Sequence, residues 1–548
     1  MGKKKYEKSR AEIFQMSDML TTLFLLYMFV VFPLVMHDGY KDITLTKYNL
    51  FQYGVAGYGI LMSVLLLFQF TDSLSYAQNK KLKYTKKPGK AKLLASDIWM
   101  GLFFLSGVLA WILSDEKKAA FTGEMGRRCG LAFLILVAVL YVCMGSGYRL
   151  KPFVLPVFSI VSGAAFLMSI LQHLGKDVFY LRAAIRSDLR PIFISTFGNI
   201  NIFASFVCIA VALSAGAYLV EEKRWRKLLY GLVLLLGGAA MIAANSDSTY
   251  FGVGVTLVLL LFSAIYHASL CQFLESVTLL LYGYTGMAYL TAGTGRGYDT
   301  LSGFARLVDC RGVLLLVCIV LTVGIGVYRW KTGKMENAGK AENTGKRERT
   351  KKAEVAGKTE NAGKTRHNVK TAMLVVGVVL CVLAVGFFLT GRKQEWEIFA
   401  FNDDWGNYRG YVWSRLCSIY REFPFVNKLF GNGNESIYAL MSANYQEEML
   451  AVTGTVYDSA HNEYLQYLVT MGLFGLVSYL GLLISSVGNC IKGMKKDKSF
   501  LPIAACIIAY GAQAFFNVEQ PVTTPFLFVF LALAAGMRRR IEQTYQEN

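Results

Sequence analysis

IFASFVCIAVALSAGAYLV (202–220), EEKRWRK (221–227) and LLYGLVLLLGGAAMIAA (228–244) settle the class of fold between them. Two apolar blocks close to bilayer-spanning length flank a short link crowded with charge. About 20 apolar residues carry a helix through the roughly 30 Å hydrocarbon layer. The alternation repeats along the chain. Block centres fall near Phe29, Leu61, Phe104, Val137, Ser162, Val211, Leu235, Val258, Leu279, Val320, Val379, Phe474, Ile508 and Leu531. The pattern implies an all-α, polytopic integral membrane helix bundle of about 14 transmembrane helices. One pair, between Phe251 and Leu290, turns on the polar break at Tyr266-His267, which is either a short turn or a point inside one long broken helix.

The totals agree. The chain has 548 residues, 54% hydrophobic and 17% charged, with a mean hydropathy of +0.40. Soluble domains carry roughly 25% charged residues, so a string of soluble domains is excluded. The net charge of +20 sits mainly in short links between apolar blocks, where it reports topology. No basic groove with interleaved aromatics is visible, so no nucleic acid is expected as a partner. The ten Cys lie mostly inside apolar blocks without a CxxC, as small packing residues do. Cys129 and Cys310 fall in links on the same side, but sequence cannot assign a pairing.

Short Lys- and Arg-rich links stay cytoplasmic. With Lys3, Lys4 and Lys5 inside, links 80–92, 149–151, 221–227, 329–370, 492–498 and 538–540 also fall inside. Links 37–49, 114–128, 175–199, 291–311 and 391–460 fall outside, and all but 175–199 are mixed or acidic. Both termini are then cytoplasmic, and the apolar run 19–35 is a retained first span rather than a cleaved signal. The domain plan is N-terminal helices over 1–330, a basic loop over 331–370, and C-terminal helices over 371–548. The basic loop repeats units such as 336–340 and 360–364, lacks apolar anchors and is expected to be disordered. The external link 391–460 is different. It is rich in Trp, Tyr and Phe, which suits either interface anchoring or an active-site cover or acceptor groove.

The sharpest chemical feature closes that external link. HNEYLQYLVTMGLFGLV (461–477) places His461 where loop meets membrane helix. A neutral imidazole there can take a proton from a hydroxyl. Asp458 would orient the ring if the helix begins that early. Upstream stand Arg409, Trp413 and Arg415, then Pro424 and the Gly431-Asn-Gly433 turn. The planar arginine fork suits a phosphate-bearing ligand, although Arg415, beside Trp413, is equally suited to packing on an aromatic. Arg182, Arg186 and Arg190 recur every four residues and would form one basic stripe on a helix. Next comes GNINIFA (198–204), whose Asn199 and Asn201 can cap a helix or hold a sugar or phosphate. The five His are dispersed and no acidic pair has ligand-like spacing, so no metal or cofactor is expected.

Taken in order, these elements resemble the O-antigen ligase and O-antigen polymerase family (Wzy/WaaL type), bacterial integral membrane glycosyltransferases. The family pattern of His-Asn, nine residues, then Gly-x-x-Gly is met by His461, Asn462, Gly472 and Gly475. Its Arg-x-x-x-apolar loop element resembles Arg409 with Trp413. Its Pro-x-x-x-Gly-x-Gly turn resembles Pro424 to Gly433, lengthened here. Its Gly-Asn-x-Asn-x-x-Ala element matches Gly198, Asn199, Asn201 and Ala204. The similarity covers roughly 198–483 apart from the basic insert. The chain departs where the family often has Ser-Arg-Gly; here stands Asn245-Ser-Asp247-Ser-Thr249, without the arginine.

The resemblance implies a metal-independent, inverting glycosyl transfer on the outer face, of the type C glycosyltransferase class. The donor would be a glycan on undecaprenyl diphosphate, the acceptor a second glycan. His461 would act as base and Arg409, Arg186 and Arg190 would steady the leaving diphosphate. Arg182, Arg415, Asn199, Asn201, Asp458 and Asn462 complete the expected substrate-binding set. Polysaccharide export or chain-length proteins would be partners in the cell membrane. A lipid-linked glycan flippase is the alternative; it would need charges deep within spans, and Asp97 and Glu275 are almost the only ones.

Overall fold

The computed structural model describes residues 3–78, 93–124, 126–267, 269–297, 299, 301, 303–343 and 401–547. The expected span near Val379, link 80–92 and the remainder of the insert beyond Asn343 lie outside the described residues, as does the start of the external link, up to residue 400.

Helices dominate. In chain order they are α1 (Lys3–Leu26), α2 (Ile43–Gln78), α3 (Ala95–Leu113), α4 (Lys117–Thr122), α5 (Leu131–Gly145) and α6 (Val154–His173). Then come α7 (Ile200–Val220), α8 (Arg224–Ala244), α9 (Asp247–Tyr266), α10 (Leu270–Thr294) and α11 (Arg311–Asn343). The external link holds α12 (Trp405–Glu422), α13 (Phe425–Phe430) and α14 (Ile437–Thr453). The chain closes with α15 (Glu463–Met494), α16 (Phe500–Gln513) and α17 (Thr524–Glu547). Among the described residues 9 helices are long and apolar enough to cross a membrane, and α5 and α16 are shorter apolar helices. Every expected span centre that falls on described residues sits in a helical segment. The chain is an all-α polytopic membrane protein; among the described residues the one exception is a two-stranded hairpin pairing β1 (Phe193–Ile194) with β2 (Gly198–Asn199).

The Tyr266-His267 break is a short turn, which makes α9 and α10 separate helices. The first span is interrupted differently. A π turn at Tyr27–Val31 precedes Pro33, which has no N–H to return to the preceding turn. At the centre of the bundle α7 is wholly enclosed, whereas the apolar stretch of α11 is almost entirely open to its surroundings. Aromatic packing marks the centre: Phe206 stacks on Phe197 at 4.1 Å and meets Phe526 of α17 at 5.6 Å.

One end of the bundle is pinned by charge. Arg539 of α17 pairs with Asp97 of α3, and Arg540 pairs with Asp18 of α1 at 3.7 Å. Tyr141 also donates to Asp97, at 3.1 Å. On α10, Glu275 pairs with Arg329 and accepts from Tyr218 at 3.2 Å. Asp97 and Glu275 therefore both have basic partners. Among the described residues every cysteine is a free thiol, Cys129 and Cys310 included.

Candidate active site

The site is built at the opposite end from those ion pairs, where α15 begins. Asn462 caps α15: its side-chain oxygen accepts the N–H groups of Tyr464 (3.1 Å) and Leu465 (3.0 Å). A cap of this kind is worth about 1 kcal/mol. It also fixes where the helix starts, so His461 stands just outside it, with φ +48. Glu463, the first helical residue, turns inward and accepts from Tyr510 at 2.9 Å and from Tyr479 at 2.5 Å.

The spacing from Asn462 to Gly472 has a structural cause. Helix α15 is broken at Gly472, with φ 71 and ψ −175. The break frees two carbonyls, and the glycine turn uses them. Asn432 N–H donates to Val469 O (3.2 Å) and Gly433 N–H to Thr470 O (3.1 Å). Gly431 and Gly472 lie where two backbones cross, each with room for hydrogen only. The His-Asn and Gly elements thus define the two ends of one segment, with the glycine turn clamped across it.

The aromatic link docks over the same end. Residues Gly406, Asn407 and Tyr408 have left-handed backbone, and regular α12 starts at Arg409. Four residues on, Trp413 lies on the same helical face. Its indole N–H donates to Ala460 O at 2.8 Å, the carbonyl adjoining His461. Trp413 also packs on Phe515 at 5.6 Å, and Trp405 on Phe516 at 6.3 Å. The link is therefore seated on the turn between α16 and α17. Trp413→Phe keeps the packing and deletes the bond. It should lower turnover roughly tenfold, a cost close to one hydrogen bond of about 1 kcal/mol, with unchanged membrane yield; transfer rates per unit of inserted protein would measure it.

The electrostatics converge on His461. Burial, then the positive charges of Arg127 and Arg409, push its pKa down to about 3, with Asp458 opposing. The imidazole is neutral, and Tyr457 meets its ring edge-on at 5.8 Å. Arg409 itself is pushed down by burial, against the pull of Asp247 and Tyr457. Asp247 stands where the family's arginine is missing. It holds the Phe304 N–H at 2.7 Å and lies within the field of Arg409.

Arg127 went unnoticed in the sequence. It comes from the link between α4 and α5, and its guanidinium pairs with Asp458 at 3.0 Å. Its backbone N–H and that of Cys129 donate to Glu435 at 3.0 and 3.2 Å. Burial would raise the Asp458 carboxyl, but Arg127 overrides this and holds it low. For Glu435 burial prevails and the pKa rises to about 7. The only sequence signal for Arg127 is an Arg pair between Gly126 and Gly130.

Other expected members lie elsewhere. The arginine stripe does not form, because 174–189 is a run of turns rather than a helix. Gly175, Asp177 and Pro191 are the cause. Asp177 accepts the Arg182 N–H at 2.7 Å and so bends the chain. The Arg182 guanidinium is spent on Phe193 O (2.8 Å) and Gln172 O (2.9 Å). Arg186 pairs with Asp188 at 2.5 Å on the surface, and Arg190 bonds Ile185 O at 3.0 Å. Arg415 lies over Tyr411 at 4.4 Å and pairs with Glu448 at 2.6 Å, within the link itself. Asp458 is not in the helix of His461; it serves Arg127. Asn199 caps α7 by accepting Asn201 N–H at 2.8 Å. Asn201 accepts from Ser246 at 2.9 Å, and Asn517 donates to its carbonyl at 2.9 Å. These two asparagines hold α7, α9 and the turn after α16 together.

Residues 310–480 match the family model described as O-antigen ligase. No curated protein matches the chain. The matched stretch contains Arg409, Trp413, the glycine turn and the whole His461-to-Gly475 element. That match, together with the helical membrane architecture, supports an O-antigen ligase and polymerase family member.

Proposed function

We propose that the protein transfers a lipid-linked oligosaccharide to a glycan acceptor on the outer face of the cell membrane, with His461 as general base. The observation that carries it is a neutral imidazole outside a helix cap, in the field of two guanidinium groups at the boundary end of the bundle. The donor is a glycan on undecaprenyl diphosphate, its lipid lying against the helices. His461 takes the proton of an acceptor hydroxyl, and the oxygen bonds to the anomeric carbon with inversion. The carbon–oxygen bond to the diphosphate breaks, and undecaprenyl diphosphate leaves with the electron pair. Arg409 and Arg127 offset its charge by electrostatic preorganisation, in place of the arginine that the chain lacks near Asp247. The long basic insert and the departure at 245–249 favour polymerase over ligase. In that role the polymer passes to export and chain-length proteins.

A base with a pKa near 3 is weak, and general bases work best near the operating pH. The donor supplies the correction. Its diphosphate offsets the two arginines that depress His461, so basicity rises when substrate is bound. The depressed pKa keeps free His461 unprotonated down to about pH 3, so kcat/KM should show no His461 limb between about pH 5 and 8, while the acid limb of kcat lies higher. Arg409→Gln removes one depressing charge and one diphosphate contact. It should cost on the order of 10²-fold in kcat/KM, mainly through donor KM. Kinetics in membranes with purified lipid-linked repeat would test this, and an unchanged donor KM would take Arg409 out of the site. A flippase would need unpaired charge along a path, whereas Asp97 and Glu275 are tied to Arg539 and Arg329.

A further inference from the structure

Beside the glycine turn lies a half-open cavity of about 250 Å³, lined by the segment that follows α3, by α4, by the turn itself and by the start of α14. At roughly 30 Å³ per water it holds on the order of eight waters, the room of one sugar ring. Two kinds of surface meet in it. Ala119, Ala439 and Ala443 make an apolar patch, while Asp115, Glu116 and Glu435 bring carboxylates. No Lys, Arg or His is among its lining residues. A pyranose presents the same two characters, a C–H face and a rim of hydroxyls. Alanines leave room for the face, and carboxylates accept hydroxyl protons in strong charge-assisted bonds.

Charge also says what the cavity refuses. The carboxylates of Asp115 and Glu116 repel a diphosphate or an acidic sugar, and cations are found instead at Arg127 and Arg409. Yet the two regions are joined. Glu435 lines the cavity and holds the Arg127 N–H at 3.0 Å, and the Arg127 guanidinium holds Asp458 in the loop of His461. We propose that this cavity binds one sugar residue of the acceptor glycan, a residue that carries no acid group. The assignment rests on the glycan-transfer reading. It separates the substrates by charge, with the donor diphosphate on the arginines and the acceptor among carboxylates and alanines.

Ala439→Phe fills the cavity from α14. The test uses the full chain in lipid nanodiscs, with a lipid-free oligosaccharide cut from the host's own polymer varied against saturating lipid-linked donor. Acceptor KM should rise by roughly tenfold or more, with donor KM and kcat nearly unchanged. Glu116→Ala, on the exposed rim, does not disturb packing and should raise acceptor KM a few fold. If acceptor KM is unchanged in both variants while transfer persists, the cavity assignment is overturned and the glycan-transfer reading stands. A preference of the wild-type chain for acidic over neutral acceptors overturns it as well. If wild-type chain and His461→Ala alike transfer nothing, the reading itself falls and takes the assignment with it.

Discussion

Cells carrying His461→Ala are expected to lose long polymer and to accumulate single lipid-linked repeats, with transfer reduced by about 10²–10⁴-fold. The size follows from the role: without a base, the acceptor hydroxyl must attack while still protonated. Alanine also occupies a left-handed backbone at φ +48, a strain of roughly 1–2 kcal/mol that asparagine tolerates better. His461→Asn therefore separates chemistry from folding, because it keeps the turn and removes the base. Both variants should reach the membrane at wild-type levels, since the cap at Asn462 and the Trp413 bond to Ala460 do not use the imidazole. Polymer of normal length from a normally inserted His461→Asn protein would eliminate the base and return attention to transport.

How far the sequence foretold this varies with the physics involved. Span centres were legible because hydropathy is a local, additive property, and even the Tyr266-His267 break could be placed, though not resolved into a turn. The cap and the break of α15 were legible too, because Asn462 and Gly472 act along a single segment. Contacts between distant segments were not. Arg127 reaches Asp458 across more than three hundred positions, and no periodicity records that pairing. The arginine stripe failed for a related reason. A spacing of four is a helical signal only where a helix forms, and Asp177 and Pro191 make turns instead. Asp458 could orient the His461 ring only from a helix that begins early, whereas Asn462 caps the helix one residue after His461. The hairpin at Phe193–Ile194 is too short to show alternation.

Gly472→Ala should be the most damaging change that leaves every polar site residue intact. Its backbone, at φ 71 and ψ −175, lies in a region that only glycine adopts freely, at a cost of roughly 1–3 kcal/mol for other residues. A methyl group there would also run into the Leu429 carbonyl and the Phe430 nitrogen. These are backbone atoms that cannot rotate away, and overpacking of that kind adds roughly 1–3 kcal/mol. The glycine turn would be lifted off α15, and with it the bonds from Asn432 and Gly433 to Val469 and Thr470. Glu435, which rides on that turn, would lose its hold on Arg127. Transfer should therefore fall together with thermal stability in detergent. Gly488→Ala is the matched control on the same helix, since a methyl there meets open space. It should leave both measurements unchanged or slightly raise stability, because alanine is the better helix former by about 1 kcal/mol. Equal behaviour of the two variants would mean that the break at Gly472 does not hold the turn in place.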